Sequence, residues 1–193
     1  MKVIRLAIAS AVFAGALAAQ QPAAPQANPI VAAFKQRILI NHRNIAQAFD
    51  SIPESKFGYK PTPAQLTFGY IATHVASDSY LFCNTFGDMK ATGADIDGGP
   101  ADSARATWPK AQLVTRLKAS FAFCAKAMDQ LTDASLADGV TFTAGGAERK
   151  ATRALMVLGH ALDLTDHYSQ IANYMRLNGM IPPSALPRPR PGN

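Results

Sequence analysis

Val157, Ala161, Leu164, Tyr168, Ile171 and Met175 recur at spacings of four, three, four, three and four. A stripe of that period commits the chain to a helix with one apolar face, and that face needs other helices to cover it. Three earlier stretches supply them. Ile30, Phe34, Ile38, Ile45 and Phe49 mark a first helix, with Asn28 as its cap, Pro29 at the first helical position and Ile52-Pro53 as its stop. Phe68, Ile71, Val75 and Phe82 mark a second, expected from about Pro63 to Phe86 with Thr62 as cap. Leu113, Leu117, Phe121, Cys124 and Met128 mark a third, from about Pro109 to Leu131. The fourth, which carries the opening stripe, is expected from Ala147 or Glu148 to Leu177. There Asn178-Gly179 caps it and Pro182-Pro183 forbids its continuation. The expected fold is all-α: a four-helix bundle over 29–183, with Val140–Thr143 as a loop or short extended piece.

Between the second and third helices lies a Gly-, Asp-, Ala- and Pro-rich connection, Gly87 to Trp108. A connection that long can cross or run back along a bundle, so it permits two successive helices to lie parallel. Cys83 sits late in the second helix and Cys124 just past the middle of the third. A parallel pair brings them to one level, whereas an antiparallel pair separates them by roughly 15 Å. The two cysteines are either a disulfide, as suits an exported chain, or two buried thiols. Export is expected from the N-terminus: Lys2 and Arg5 flank a run of small apolar residues to Leu17, and Ala16-Leu17-Ala18 supplies a cleavage signal. Residues 1–19 read as a signal peptide, 20–28 as a flexible mature start and 184–193 as a disordered tail. The protein is then periplasmic or secreted. The apolar run is too short to serve as a membrane anchor, which takes about 20 residues. The net charge of +6 falls to +4 without Lys2 and Arg5, and no basic cluster with interleaved aromatics appears. Nucleic acid is therefore not an expected partner.

Chemistry concentrates beside the seam of the fourth helix. His160, Asp163, His167, Gln170 and Tyr174 follow one another at three and four residues, so they share one side. His74 offers an imidazole from the second helix, with Asp78 one turn further on. Imidazole and carboxylate donors together suit a divalent transition metal (zinc, nickel, iron or manganese) with coordination positions left open. Asp78, Asp166 and Gln170 are candidates to hydrogen-bond a ligand histidine and fix its tautomer. The same residues admit a plainer reading, in which Asp163 and His167 form an ordinary ion pair along a helix. His42 has no evident partner and reads as a surface or boundary residue. Tyr80 and Tyr174 read as packing residues.

Phe57-Gly58-Tyr59-Lys60-Pro61-Thr62-Pro63, Thr67-Phe68-Gly69 and Thr73-His74-Val75-Ala76 resemble the second-helix region of DinB-like proteins. The segment from His167-Tyr168-Ser169-Gln170 through Tyr174-Met175-Arg176-Leu177-Asn178-Gly179 to Pro182-Pro183 resembles the end of that domain. The resemblance implies a four-helix bundle holding one metal on three histidines, one from the second helix and two from the fourth at i and i+4. His74 matches the first and His167 the last, but Asp163 stands where a histidine is usual. Asp163 then serves as a carboxylate ligand, or His160 substitutes from one turn earlier, or the site is degenerate and the metal lost. The family includes thiol transferases and relatives proposed to be metal-dependent hydrolases. The functional expectation is an exported metal-dependent enzyme, hydrolase-like or thiol-transferase-like, acting on a small molecule. The alternative is a non-catalytic bundle that binds a ligand or protein, and a homodimer through an exposed helix face is compatible with either.

Overall fold

The computed structural model describes residues 27–93 and 99–187. The expected signal peptide, most of the mature start and the tail from 188 onward lie outside the described residues. Four long helices make the bundle: α1 (Pro29–Ser51), α2 (Phe68–Phe86), α4 (Lys110–Asp129) and α5 (Arg153–Leu177). Between α2 and α4 sits a one-turn helix, α3 (Asp102–Arg105), and between α4 and α5 a hairpin, β1 (Gly139–Ala144) and β2 (Ala147–Thr152). None of the helices among the described residues is long and apolar enough to cross a membrane.

Helix directions follow from which residues meet. Arg116 donates to the Thr73 carbonyl at 3.0 Å, and Cys124 is bonded to Cys83, so α2 and α4 run parallel. Phe68 meets Tyr174 and His74 meets His167, so α5 runs antiparallel to α2, while Asn41 of α1 donates to Thr165 of α5 at 2.9 Å. The disulfide joins Cα atoms 5.2 Å apart, within the ordinary span of such a bridge. Phe49, Phe68, Leu117, Leu164 and Tyr174 are fully buried along the shared axis. Each such side chain contributes about 1.5–3 kcal/mol relative to exposure.

Three boundaries differ from expectation, and each difference has a local cause. Helix α2 starts at Phe68, not at Pro63, because Thr67 accepts the Tyr70 amide at 3.1 Å, while the Phe68 and Gly69 amides bond back to the carbonyls of Tyr59 and Phe57. Thr62 instead closes a turn by donating to Gln65. The cap of α1 is supplied from a distance: Asn28 is left-handed (φ 55°), and Asp133 accepts the amides of Ile30 and Val31 at 3.1 and 2.8 Å. Residues 147–152, expected in the last helix, form the return strand of the hairpin. Gly145 and Gly146 both take positive φ, as the two-residue turn between Ala144 and Ala147 demands. Val140, Phe142 and Ala151 then lean on the core. Thr152 becomes the cap of α5 by accepting the Leu155 amide at 3.2 Å.

At its far end α5 closes with Gly179 at φ 72° and with bonds from Gly179 to Arg176 and from Met180 to Met175. That is a Schellman closure, as Asn178-Gly179 led one to expect. The segment after it is not loose at once. Pro183–Ala185 forms a helical turn, and the Ser184 amide donates to the Tyr168 hydroxyl at 2.8 Å.

The crossover comes back onto α2. Gly69 allows this, since a Cβ there would lie 2.4 Å from the Ala106 carbonyl oxygen. Helix α3 consequently lies against the first half of α2, beside His74.

Candidate functional site

His74 and His167 face each other across the α2–α5 contact, their rings edge to face with centroids 5.0 Å apart. His74 Nε2 is 3.3 Å from Asp78 Oδ2, and His167 Nε2 is 3.4 Å from Asp163 Oδ1. Donor atoms of His74, Asp78 and His167 all lie within 4.8 Å of one another. Asp163 adds one carboxylate oxygen against His167, while its other oxygen is buried with no hydrogen-bond partner. Asp78, expected as a supporting residue, thus stands as close to the point of convergence as any of the expected ligands.

Behind the two rings, each Nδ1 has its own acceptor. His167 Nδ1 faces Gln170 Oε1 at 3.4 Å, and Gln170 in turn donates to the Tyr174 hydroxyl at 3.1 Å. His74 Nδ1 faces Asp102 Oδ2 at 3.4 Å. Asp102 comes from α3, in the crossover, and was not among the residues singled out from the sequence. It is held firmly: its other oxygen accepts from Ser77 at 2.6 Å and from Thr73 at 3.2 Å. Arg116 of α4 donates to Ser77 at 3.1 Å and to the Thr73 carbonyl at 3.0 Å. A chain from Arg116 through Ser77 to Asp102 therefore orients His74. Asp166, by contrast, is exposed and makes no hydrogen bond or ion pair with either histidine; the acid behind His74 Nδ1 is Asp102.

The electrostatics match the geometry. The hydrogen bond to Asp102 raises the His74 pKa above its ordinary value, against the effect of burial, with help from the charges of Asp78 and Asp102. Burial alone would lower His167, but the hydrogen bond and charge of Asp163 outweigh it and raise the group. Burial would likewise raise Asp102, yet hydrogen bonds from His74, Ser77 and Thr73 bring it down to about 2. Asp78 is pushed up to about 6, chiefly by burial, with the charge of Asp163 adding to the shift and that of His74 opposing it. Acids and imidazoles share a confined space here, paired as His74 with Asp78 and Asp102 and His167 with Asp163.

His160 does not join this group. Its ring packs against His42, Phe82 and Phe86, with centroids 5.6, 5.4 and 6.4 Å away. The substitute-ligand role for His160 therefore has no support in the fold, because its ring is packed into the core among different neighbours. His42 is not a surface residue either; it is buried and stacked on Phe121 at 4.0 Å. A signal for His42 was present: Ile38, His42, Ile45 and Phe49 are spaced four, three and four, so His42 lies on the apolar stripe itself.

A cavity of about 680 Å³ opens between α2, the segment before it and the crossover, and none of the clustered histidines and carboxylates lines it. Tyr70, Lys60, Ser103, Trp108 and Lys110 line it, and the Tyr70 ring stands 5.9 Å from that of His74.

A helical bundle with imidazoles and carboxylates converging between two of its helices, able to hold a metal ion, is the class of protein this fold and site define. The family described as the DinB superfamily matches residues 38–171, and the chain belongs to it. A DinB-like protein from Bacillus cereus is similar in fold, with TM-score 0.61 and 15% identity over 79% of this chain and 95% of that one. Another from Bacillus subtilis gives 0.56 and 17% over 81% and 96%. A mutant of a mycothiol-dependent maleylpyruvate isomerase gives 0.55 and 11% over 74% of this chain and 59% of that one. No curated protein matches the chain.

Proposed function

We propose that the protein is a divalent-metal-dependent enzyme acting on a small molecule outside the cytoplasm, with His74, His167 and a carboxylate as the metal ligands. The observation that carries this reading is the convergence of His74, Asp78 and His167 donor atoms within 4.8 Å, joined by the unpartnered buried oxygen of Asp163. The donor set fits: imidazole nitrogen and carboxylate oxygen are ordinary ligands of zinc and its neighbours. Bound there, such an ion supplies Lewis acidity, polarising an oxygen or sulfur donor and making its proton easier to lose.

The protein's own residues prepare the site. Acceptors at both Nδ1 atoms, Asp102 and Gln170, favour the tautomer with its proton on Nδ1, which leaves each Nε2 lone pair aimed at the acidic side. Asp78 and Asp163 compete for the carboxylate position. Whichever is not a ligand is placed to accept or return a proton. The cavity next to Tyr70 offers room for a small substrate, with Glu54, Lys60 and Lys110 as the charged groups of its lining. Hydrolysis is the reaction class preferred over thiol transfer, because an exported enzyme is removed from the reducing pool of small thiols.

The experiment is elemental analysis of untagged protein purified without chelator. About one transition metal per chain is expected, lost in His74→Ala and in His167→Ala. Asp78→Asn and Asp163→Asn separate the carboxylates, since the ligand variant loses metal and the other keeps it. Metal retained in both histidine variants would rule the site out. The Asp163 position, where relatives are expected to carry histidine, favours one second reading: a bundle that binds its ligand without metal or catalysis. That reading holds if the native protein is metal-free and gains no thermal stability from added zinc, nickel, manganese or iron(II).

A further inference from the structure

A second cluster of donor atoms lies in the core, about two turns along α5 from the site just described. His42 of α1, His160 of α5 and Cys124 of α4 each bring a ligand atom within 4.8 Å of the others. Both histidines are buried, His160 completely and His42 to all but 5% of its surface. Both ring nitrogens of each are shut away from solvent without a hydrogen-bond partner. A neutral imidazole carries one N–H donor and one lone pair, and buried groups of that kind are normally satisfied. Two such residues side by side, at seam positions that a leucine would fill without penalty, call for a ligand they share.

The disulfide says what that ligand is. Cys83 Sγ is one bond from Cys124 Sγ, and the two Cα atoms are 5.2 Å apart. Reduction would release two thiols, Cys124 beside the two imidazoles and Cys83 next to Cys124, and two cysteines with two histidines are the donor set of closed tetrahedral zinc sites. We propose that His42, His160, Cys83 and Cys124 form a redox-gated metal site, shut by the disulfide in the oxidised protein and binding a thiophilic divalent cation such as zinc when the pair is reduced.

The chemistry balances. A dithiol protein of the compartment reduces the S–S bond by exchange, leaving two cysteine thiols here and taking the disulfide onto its own pair. Binding of the cation then displaces one proton from each thiol. Two thiolates cancel the two charges of the ion, and the imidazoles are neutral, so the complex adds no net charge to a dry interior. Burial already holds His160 down to about 4 and His42 well below its ordinary value, so neither needs to lose a proton to ligate near neutral pH. Phe82, Phe86 and Phe121 close the surroundings, which suits a structural or storage role and gives no opening for a substrate.

The test uses full-length protein carrying His74→Ala and His167→Ala, so that the other site cannot bind. It is produced under reducing conditions, kept reduced with a phosphine and titrated with cobalt(II). One cobalt per chain is expected, with thiolate-to-cobalt charge-transfer absorption and the intense visible bands of tetrahedral coordination. The air-oxidised disulfide form should show neither. His160→Leu should weaken binding on the order of 100-fold, and Cys124→Ser, which scarcely alters packing volume, should remove about half of the charge-transfer band, one of two thiolates. Circular dichroism confirms that each variant is folded, and should His160→Leu unfold, the Cys124→Ser spectrum decides. No cobalt bound by the reduced protein overturns the proposal. So does equal binding by the oxidised form, or an unchanged spectrum in Cys124→Ser.

Discussion

His160 makes a quantitative prediction about acid stability. Its ring is fully buried, and burial pushes its pKa down to about 4 from an ordinary 6.5. The folded state thus binds that proton less readily than the unfolded chain. With the folded pKa depressed, the stabilisation is complete above pH 6.5 and is lost as pH falls towards 4. Each pKa unit corresponds to about 1.4 kcal/mol, so the full loss from His160 is about 3 kcal/mol. His42 acts in the same direction, because burial and then the charge of His160 lower it. Asp78 acts in the opposite direction. Its folded pKa of about 6 exceeds the ordinary 3.8, so it disfavours the folded state at high pH and ceases to do so as it protonates below pH 6.

The wild-type profile is therefore a sum of opposing slopes, and the informative quantity is a difference. Urea unfolding of oxidised, metal-free wild type and of His160→Leu should be compared from pH 7.5 to 4. Asp78 contributes to both curves and cancels. Between these limits wild type should lose about 3 kcal/mol relative to His160→Leu. For a domain of this size that corresponds to a differential shift in Tm on the order of 10 °C. Parallel profiles would refute the reasoning, since they would mean that His160 has the same proton affinity folded and unfolded.

Asp102→Asn should lower the His74 pKa, read from the imidazole shifts in an NMR titration. It should also weaken metal binding roughly 10–100-fold without removing it, the usual consequence of losing the partner behind a ligand histidine. Replacing both Cys83 and Cys124 by serine opens a loop spanning 41 residues. Chain entropy puts the loss at about 4 kcal/mol, measurable by urea denaturation, and an unchanged midpoint would show the bridge to be without effect on stability. Asp133→Ala removes the acceptor for the Ile30 and Val31 amides and should cost about 1 kcal/mol, with hydrogen exchange rising first in the opening turn of α1.

The bundle was legible because its four seams are long and periodic. The parallel placement of α2 and α4 was legible only through the cysteines, since a long connection permits parallel helices without requiring them. The hairpin was hidden for a physical reason. Ala147, Glu148, Arg149, Lys150 and Ala151 are strong helix formers, and nothing in their own order signals a strand. Pairing with Val140–Thr143 across a Gly-Gly turn overrides that preference. His74 and His167 stood out because they lie on long helices, where spacing gives direction. Asp102 lies in an aperiodic stretch, where neither face nor partner can be read, and only the path of the crossover brings it to His74. Asp133 was hidden for the same reason: it caps a helix more than a hundred residues away.

The topology and the site are linked through that crossover. Parallel neighbours oblige the chain to travel the length of the bundle between α2 and α4, and the return path lays α3 against α2. The segment that the fold requires for connection thus carries Asp102 to His74, and Arg116 of the parallel helix fixes it there through Ser77. Helix α5 shows how strongly such surroundings decide chemistry. His160 and His167 are seven residues apart on one helix, about 10 Å along its axis. Asp163 lies between them. Against His167 its hydrogen bond and charge overcome burial and raise the pKa, whereas at His160 its charge only partly offsets complete desolvation and the pKa falls. One imidazole is thereby tuned to an acidic, partly open cleft and the other is kept neutral in a dry core. Two residues that the sequence places on a single stripe are separated by the fold into two different kinds of donor.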